Sequence, residues 1–410
     1  MLPFELVIQV LTCFDPRDDK DTLYKCAIAH SSWTPVAQSM LFHELTLQAV
    51  SPHHENHILL SEQSVRSLET LSHCLEVRPH LLDYIQDLRI KNLEQNLRDG
   101  ARHQWNQEND VIARVLRKLT NVKSLSIFRL GYAAVSESMR ESIRHIFQLP
   151  SLTSLKVTWT IFPSFTQFLS MFSTPRNLTH VHLWSVRFTE LRQINENTGA
   201  ISTAPKSIRI QDLHLHLVLL KPFVAWFEMP QCPIDLSGMK TLRLHRSSMY
   251  DPESTATLLK SAGDSLVNLE LEGPYRATES EQVHLGHTPN IQTLALINLQ
   301  QTQTYDPIQW ILSLFKPVTR SLLRSVRFEL YIELPSHKFW ACWKPVDVLF
   351  ASSGFECLEE VLLVVSSPEE PIEPKSKIEE GFPRLMEKGV MRVKTVHREK
   401  ELSRAVMVLT

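Results

Sequence analysis

The sequence predicts an α/β chain in which a short three-helix unit at the N-terminus is followed by a repeating array of strands and outer helices, with a parallel sheet on the concave face of a solenoid. Three observations predict it. Apolar residues in the first fifty positions recur at helical spacing in three short segments. The phrase Leu-x-x-Leu-x-Leu, with apolar substitutes, returns at intervals of 25 to 37 residues through most of the remaining chain. The segments between those phrases carry helical patterns of their own, so strand and helix signals alternate.

The first helix is read in "LPFELVIQVL". Leu6, Val7, Val10, Leu11 and Phe14 fall on one apolar stripe, with Pro3 tolerated in the first turn. A secretory signal would need a basic start, an unbroken apolar run of roughly 7 to 15 residues and a small-residue cleavage site. Glu5, Gln9 and the acidic "DPRDD" oppose that reading, so the stretch is expected to begin the mature protein as an amphipathic helix. The second helix is read in "DDKDTLYKCAIAHSSW", with Leu23, Cys26, Ala27 and His30 on one face and Asp21 or Thr22 as its cap. The third lies in "TPVAQSMLFHEL", capped by Thr34, with Pro35 in the first turn and Val36, Ala37, Met40 and Leu41 as its apolar face. "LTL" then turns extended. Cys13 and Cys26 are expected to be small buried hydrophobes rather than nucleophiles. Three helices in under fifty residues make a small core, which a partner or a covalent neighbour should complete.

The repeat is seen in "NVKSLSI", "SLTSLKV", "NLTHVHL", "IQDLHL", "GMKTLRL", "SLVNLEL", "NIQTLAL", "LLRSVRF" and "CLEEVLL". Their central apolar residues are Leu125, Leu155, Val181, Leu213, Leu242, Leu269, Leu294, Val326 and Val361, with an earlier member at Leu88 and a weaker last one in "VMRVKTV". Each phrase is expected to be a strand. "SESMRESIRHIFQL", "FTQFLSMF" and "ESTATLLKSAG" are expected to be outer helices, because one strand and one helix bury their apolar faces only when neighbours stack. "TELRQINENTGAISTAPKS" and "SSPEEPIEPKSKIEEGFP" read as exposed insertions, "SPHHENH" as a polar loop, and "EKELSRAVMVLT" as a closing segment of the stack. Parallel strands joined by right-handed crossovers follow.

Composition narrows the function. Forty-three basic against 45 acidic residues leave a formal charge of −2, which gives no overall field for nucleic acid or an anionic membrane, and neither partner is expected. Six cysteines without a CxxC pair fit a reducing compartment, cytoplasmic or nuclear. Ten glycines and the absence of GxGxxG or GxxxxGK[ST] argue against nucleotide chemistry, and no GxSxG, HExxH or triad phrase supports catalysis. Neither an enzyme nor a cofactor is expected.

The order Leu2-Pro3 with Glu5-Leu6, then Leu23 and Cys26 before Trp33, then Leu41-Phe42 and an alternating strand, resembles the F-box, especially the divergent kind abundant in fungi. The recurring phrases resemble irregular leucine-rich repeats. The resemblance implies residues 1–47 as the F-box, 48–69 as a linker and 70–410 as the repeat domain. It also implies docking on a Skp adaptor, and through it on a cullin, by Leu2, Pro3, Leu6, Leu11, Trp33, Leu41 and Phe42. A substrate-recognition subunit of a ubiquitin ligase then needs no catalytic residue, since it acts by holding a target near a charged conjugating enzyme. The alternative is a repeat scaffold that does not promote ubiquitin transfer.

Alternation along each strand sends the residues between the apolar ones to the concave face. His180, His182, Trp184, His214, His216, Arg243, His245 and Glu270 are expected there as the surface that binds an unknown protein substrate, bordered by Glu272. A Trp beside an Arg is the composition of a binding hot spot. His182 and His214 on adjacent strands offer two metal ligands, but no third-ligand motif is evident, so no metal site is expected.

Overall fold

The computed structural model of the protein describes residues 4–16, 18–49, 57–93, 102–172, 177–190, 207–245, 251–274, 283–301, 306–332, 340–367 and 375–397. The chain forms two compact units, Met1–Ile208 with Pro230–Pro233, and Arg209–Met229 with Ile234–Thr410. Leu2, Pro3, His53, His54, nearly all of the first insertion and the closing segment lie outside the described residues.

The first unit opens with α1 (Phe4–Leu11), α2 (Lys20–Ala29) and α3 (Thr34–Leu41). Val7, Leu11, Leu23 and Ala37 form their core, with Phe14, Cys26, Ala27, Trp33, Val36, Met40 and Leu41 packed around it. Three local expectations change. The α1 stripe is divided, because Val7 and Leu11 turn inward while Leu6 and Val10 are exposed. The expected caps also act elsewhere: α2 begins at Lys20, with Asp19 at the cap position. The Asp19 carboxylate accepts the Asp15 N–H at 2.9 Å instead of a helix donor. Thr34 Oγ1 donates to the Ala27 carbonyl at 2.6 Å and so ties the end of α2 to the start of α3. Cys13, expected to be buried, is exposed, its thiol 3.3 Å from the Gln9 carbonyl, whereas Cys26 is partly buried against the core.

Strand β1 (Glu44–Gln48) follows, and the stretch assigned as a linker carries the start of a long helix, α4 (His57–Val77). Lys118 at the end of α5 (Arg102–Lys118) holds it, with Nζ donating to Ser72 Oγ at 3.2 Å. Strands β2 (Asp87–Leu93), β3 (Ser124–Leu130), β4 (Ser154–Thr158) and β6 (His180–Trp184) then pair in parallel in that order beside β1. The marker residues stand in register: Leu45 opposite Leu88, Leu88 opposite Leu125, Leu125 opposite Leu155, Leu155 opposite Val181. Helix α6 (Glu137–Phe147) and helix α7 (Phe165–Met171) are two of the three expected outer helices, each N-capped by a serine. Ser136 Oγ accepts from the Met139 N–H and Ser164 Oγ from the Gln167 N–H, both at 3.2 Å. Met139, Ile143, Ile146 and Phe147 are buried at i, i+4, i+7 and i+8, the spacing that lays one helical face on a core. A short ribbon of β5 (Ile161–Ser164) and β7 (Arg187–Glu190) places Phe162 and Phe188 with Phe165 and Phe168 in an aromatic cluster.

Past the short strand β8 (Ile208–Arg209), the second unit contributes β9 (Asp212–His216), the short β10 (Ile234–Asp235), β11 (Thr241–His245), β12 (Asn268–Glu272), β13 (Thr293–Gln301), β14 (Ser325–Ile332), β15 (Glu360–Ser367) and β16 (Met391–His397). All but β10 form one parallel sequence of neighbours, with Leu213, Leu242, Leu269, Leu294, Val326, Val361 and Met391 in register. Their crossovers hold α8 (Leu220–Phe227), α9 (Pro252–Ala262), α10 (Ile308–Phe315), α11 (Lys344–Ala351), α12 (Lys375–Glu379) and α13 (Pro383–Glu387). Asp251 caps α9 through the Ser254 N–H at 2.9 Å. Buried Asp347 on α11 accepts the N–H groups of Arg384 and Leu385, so α11 caps the start of α13.

Three backbone devices recur at fixed distances from the markers. At nine junctions, the carbonyl two residues before one marker (His43, Gln86, Lys123, Thr153, Gln211, Lys240, Val267, Gln292, Arg324) accepts two successive N–H groups from the start of the next strand. Four residues after the marker, Asn92, Arg129, Trp159, Ser185, Leu217 and Asn298 have positive φ, between 49° and 60°; Asn92, Arg129 and Asn298 interrupt strands whose pairing resumes at Leu93, Leu130 and Leu299, and the other three stand just past a strand end. Four residues before it, Asn121, Asn177 and Asn290 each donate from Nδ2 to a carbonyl of the preceding strand's approach, at 2.7, 2.7 and 2.8 Å. Replacing one of these side chains, as in Asn177→Ala, leaves a carbonyl without its partner. A loss of about 1 kcal/mol in chemical denaturation is expected.

Candidate functional site

Two surfaces carry the residues that the sequence singled out. The first is the outside of the three-helix unit. Leu6 and Val10 stand one turn apart on α1, and Tyr24 and Ile28 one turn apart on α2, so each helix presents an apolar pair. Leu6 is 43%, Tyr24 62% and Ile28 68% exposed. With Ile8, five of the eleven exposed large hydrophobics among the described residues belong to these two short helices. Leu11 is completely buried in the unit's own core, which removes it from the expected docking set. Trp33 and Leu41 are partly buried against that core and Phe42 is half-buried beside them, so they brace the face more than they form it.

The second surface is the face of the strands opposite the buried markers. In the first unit, His180 is exposed, its Nδ1 2.7 Å from Thr179 Oγ1. His182 and Trp184, two residues apart on β6, stack with ring centroids 6.3 Å apart and planes inclined by 15°. Both rings are half-buried, so the expected free-standing Trp is a partly seated one. Trp184→Ala is expected to weaken capture of a target protein by about 2 kcal/mol, the scale of a central hot spot. Its cost in folding should stay below the roughly 3 to 5 kcal/mol of a fully buried aromatic. Melting temperature and target recovery, measured on the same variant, separate the two effects.

In the second unit the alternation brings His214, His216, Arg243, His245 and Glu270 together. Residues 214 and 216 lie two apart on β9 and so share a face, and β11 places Arg243 opposite His214 and His245 opposite His216. His214 Nε2 lies 3.3 Å from His245 Nδ1. The ring centroids are 4.7 Å apart for His214 and His245, 5.5 Å for His216 and His245, and 6.4 Å for His214 and His216. On β12, Glu270 Oε1 is 2.6 Å from His245 Nε2, and Glu270 Oε2 is 3.8 Å from Arg243 Nε. Glu270 thus faces the Nε2 edge of the His245 ring, and Nδ1 is the nitrogen turned toward His214. The hydrogen bond from His245 holds the Glu270 carboxyl below the usual carboxylate range. Partial burial opposes this, and the charges of His245, Arg243 and Arg327 reinforce it.

Glu272 departs from the expected border. It is buried, and its Oε1 accepts from Asn298 Nδ2 at 3.0 Å, which places it in the structure of the strand end instead of on the binding face. The residues that sequence reasoning missed are the apolar pair of α2, Tyr24 and Ile28. The signal was present, since both fall opposite Leu23 and Cys26 on the helical wheel.

No helix among the described residues is long and apolar enough to cross a membrane. No protein-family model matches the chain, and no curated protein is significantly similar to it.

Proposed function

We propose that the protein is the substrate-recognition subunit of a Skp–cullin–F-box ubiquitin ligase, docking the adaptor through its three helices and a target protein through the strand face of a repeat solenoid. The exposed apolar pairs on α1 and α2 carry the reading. A unit this small has an enclosed core in Val7, Leu11, Leu23 and Ala37, and yet it leaves Leu6, Val10, Tyr24 and Ile28 in water. Fully burying an exposed side chain of this kind is worth roughly 1.5 to 3 kcal/mol, and covering the 43 to 68% of Leu6, Val10, Tyr24 and Ile28 still in water recovers a proportionate part of it, which favours a protein partner on this face. The in-register parallel strands, with polar and aromatic side chains on one face, support the second half of the reading by offering an extended surface.

The test is affinity capture of the tagged full chain, followed by mass spectrometry. Recovery of a Skp adaptor together with a cullin is the expected result. Adaptor without cullin turns the reading toward a scaffold that uses the adaptor alone, and absence of both removes the proposal.

A further inference from the structure

We propose that His214, His216 and His245 form a binding site for one divalent transition-metal ion of the zinc class, with Glu270 orienting His245. One nitrogen from each of the three rings lies within 4.8 Å of the others. Zinc–imidazole bonds are about 2.0 to 2.1 Å long, so two ligands at tetrahedral angles stand roughly 3.3 to 3.4 Å apart. The separation of His214 Nε2 and His245 Nδ1 is 3.3 Å, already that of two such ligands. Only His216 has to close in, by a side-chain rotation on a half-buried residue.

The carboxylate strengthens the assignment. Metal-bound imidazoles characteristically donate their second ring N–H to a carboxylate, which fixes the tautomer and makes the coordinating nitrogen a better donor. Glu270 stands in that relation to His245: its oxygen is 2.6 Å from Nε2, and Nδ1 is the nitrogen that faces His214. Three imidazoles and no thiolate select zinc, nickel or copper over calcium or magnesium, which prefer oxygen donors. The site arises where two strands meet in register, so bound metal would cross-link β9 to β11. Three protein ligands leave a fourth position for water or for a side chain of a bound protein. The inference stands independently of the ligase reading, since it rests on the second unit's own residues.

The experiment uses the purified full chain, stripped with chelator and titrated with zinc chloride by calorimetry, then with cobalt(II) by absorption spectroscopy. One equivalent of zinc is expected at this site, with the intense visible bands of tetrahedral cobalt. His214→Ala and His245→Ala should each weaken binding by about 100-fold or more, and Glu270→Gln by about 10- to 100-fold. His80→Ala, which changes an exposed histidine elsewhere, should leave binding unchanged. Circular dichroism checks that each variant is folded. Should a histidine variant misfold, Glu270→Gln keeps all three imidazoles and still reports on the site. No zinc binding by the wild-type chain, or equal binding by the triple alanine variant, would overturn the proposal. So would weak octahedral cobalt bands.

Discussion

Leu6→Asp is expected to abolish co-purification of the protein with a Skp adaptor while leaving its thermal unfolding nearly unchanged. The side chain is 43% exposed on α1, so an aspartate there meets water in the free protein, and in the first turn of a helix its negative charge is tolerated. Surface changes of this kind usually move stability by less than about 0.5 kcal/mol. In a complex the same carboxylate would be buried against an apolar surface without a partner, which costs several kcal/mol. Leu11→Ala supplies the contrast. That residue is fully enclosed, and its truncation should cost roughly 2 to 5 kcal/mol of stability. Unimpaired recovery of the adaptor by the Leu6 variant would remove the docking reading, and a large fall in its melting temperature would show that the wrong face had been assigned.

Trp343→Ala is expected to produce the largest loss of folding stability in the second unit, roughly 3 to 5 kcal/mol. Trp343 is fully buried and packs on Phe328 of β14 and Phe382 just before α13, with ring centroids 5.7 and 5.6 Å apart. Phe328 in turn meets Phe350 of α11, so one ring joins a strand to two crossovers. The indole cannot be replaced by neighbours that are already packed, and the cavity stays. Denaturant unfolding followed by circular dichroism measures the loss. A change under about 1 kcal/mol would mean that the aromatic layer does not hold the sheet to its helices.

Much of the strand array was legible because its signal is local. Alternation with period two assigns each residue a face as soon as the strand is recognised, and every marker from Leu88 to Val361 indeed stands in register with its neighbours within each unit. Helix α1 was less legible because Leu6, Val7, Ile8, Val10 and Leu11 are apolar on both sides, so no period distinguishes the inner face from the outer. The stretch 48–69 read as a linker because "SPHHENH" signals a turn, while the polar residues of the helix that follows hide a weak apolar stripe. The positive-φ positions were invisible for a different reason. None of Asn92, Arg129, Trp159, Ser185, Leu217 and Asn298 is glycine, and only the two asparagines are of a type that favours that conformation.

The candidate sites divide in the same way. Composition and alternation placed histidines, Trp184 and Arg243 on one type of face, but the pair read there as possible metal ligands, His182 and His214, is not the set that the proposed site uses. His214 and His216 are two residues apart, but His245 reaches them only because β11 pairs with β9 in the register that sets Leu242 opposite Leu213. Glu270 joins through the next pairing, Arg243 opposite Glu270, and its 2.6 Å contact with His245 runs diagonally between strands. The sequence by itself determined the marker strands, which side of each is apolar and the three outer helices α6, α7 and α9, since those depend on neighbours a few residues away. Only the tertiary structure decided which side of α1 is left in water and which imidazoles meet. Those depend on docking and on strand register, and register is set by the burial of all the markers together.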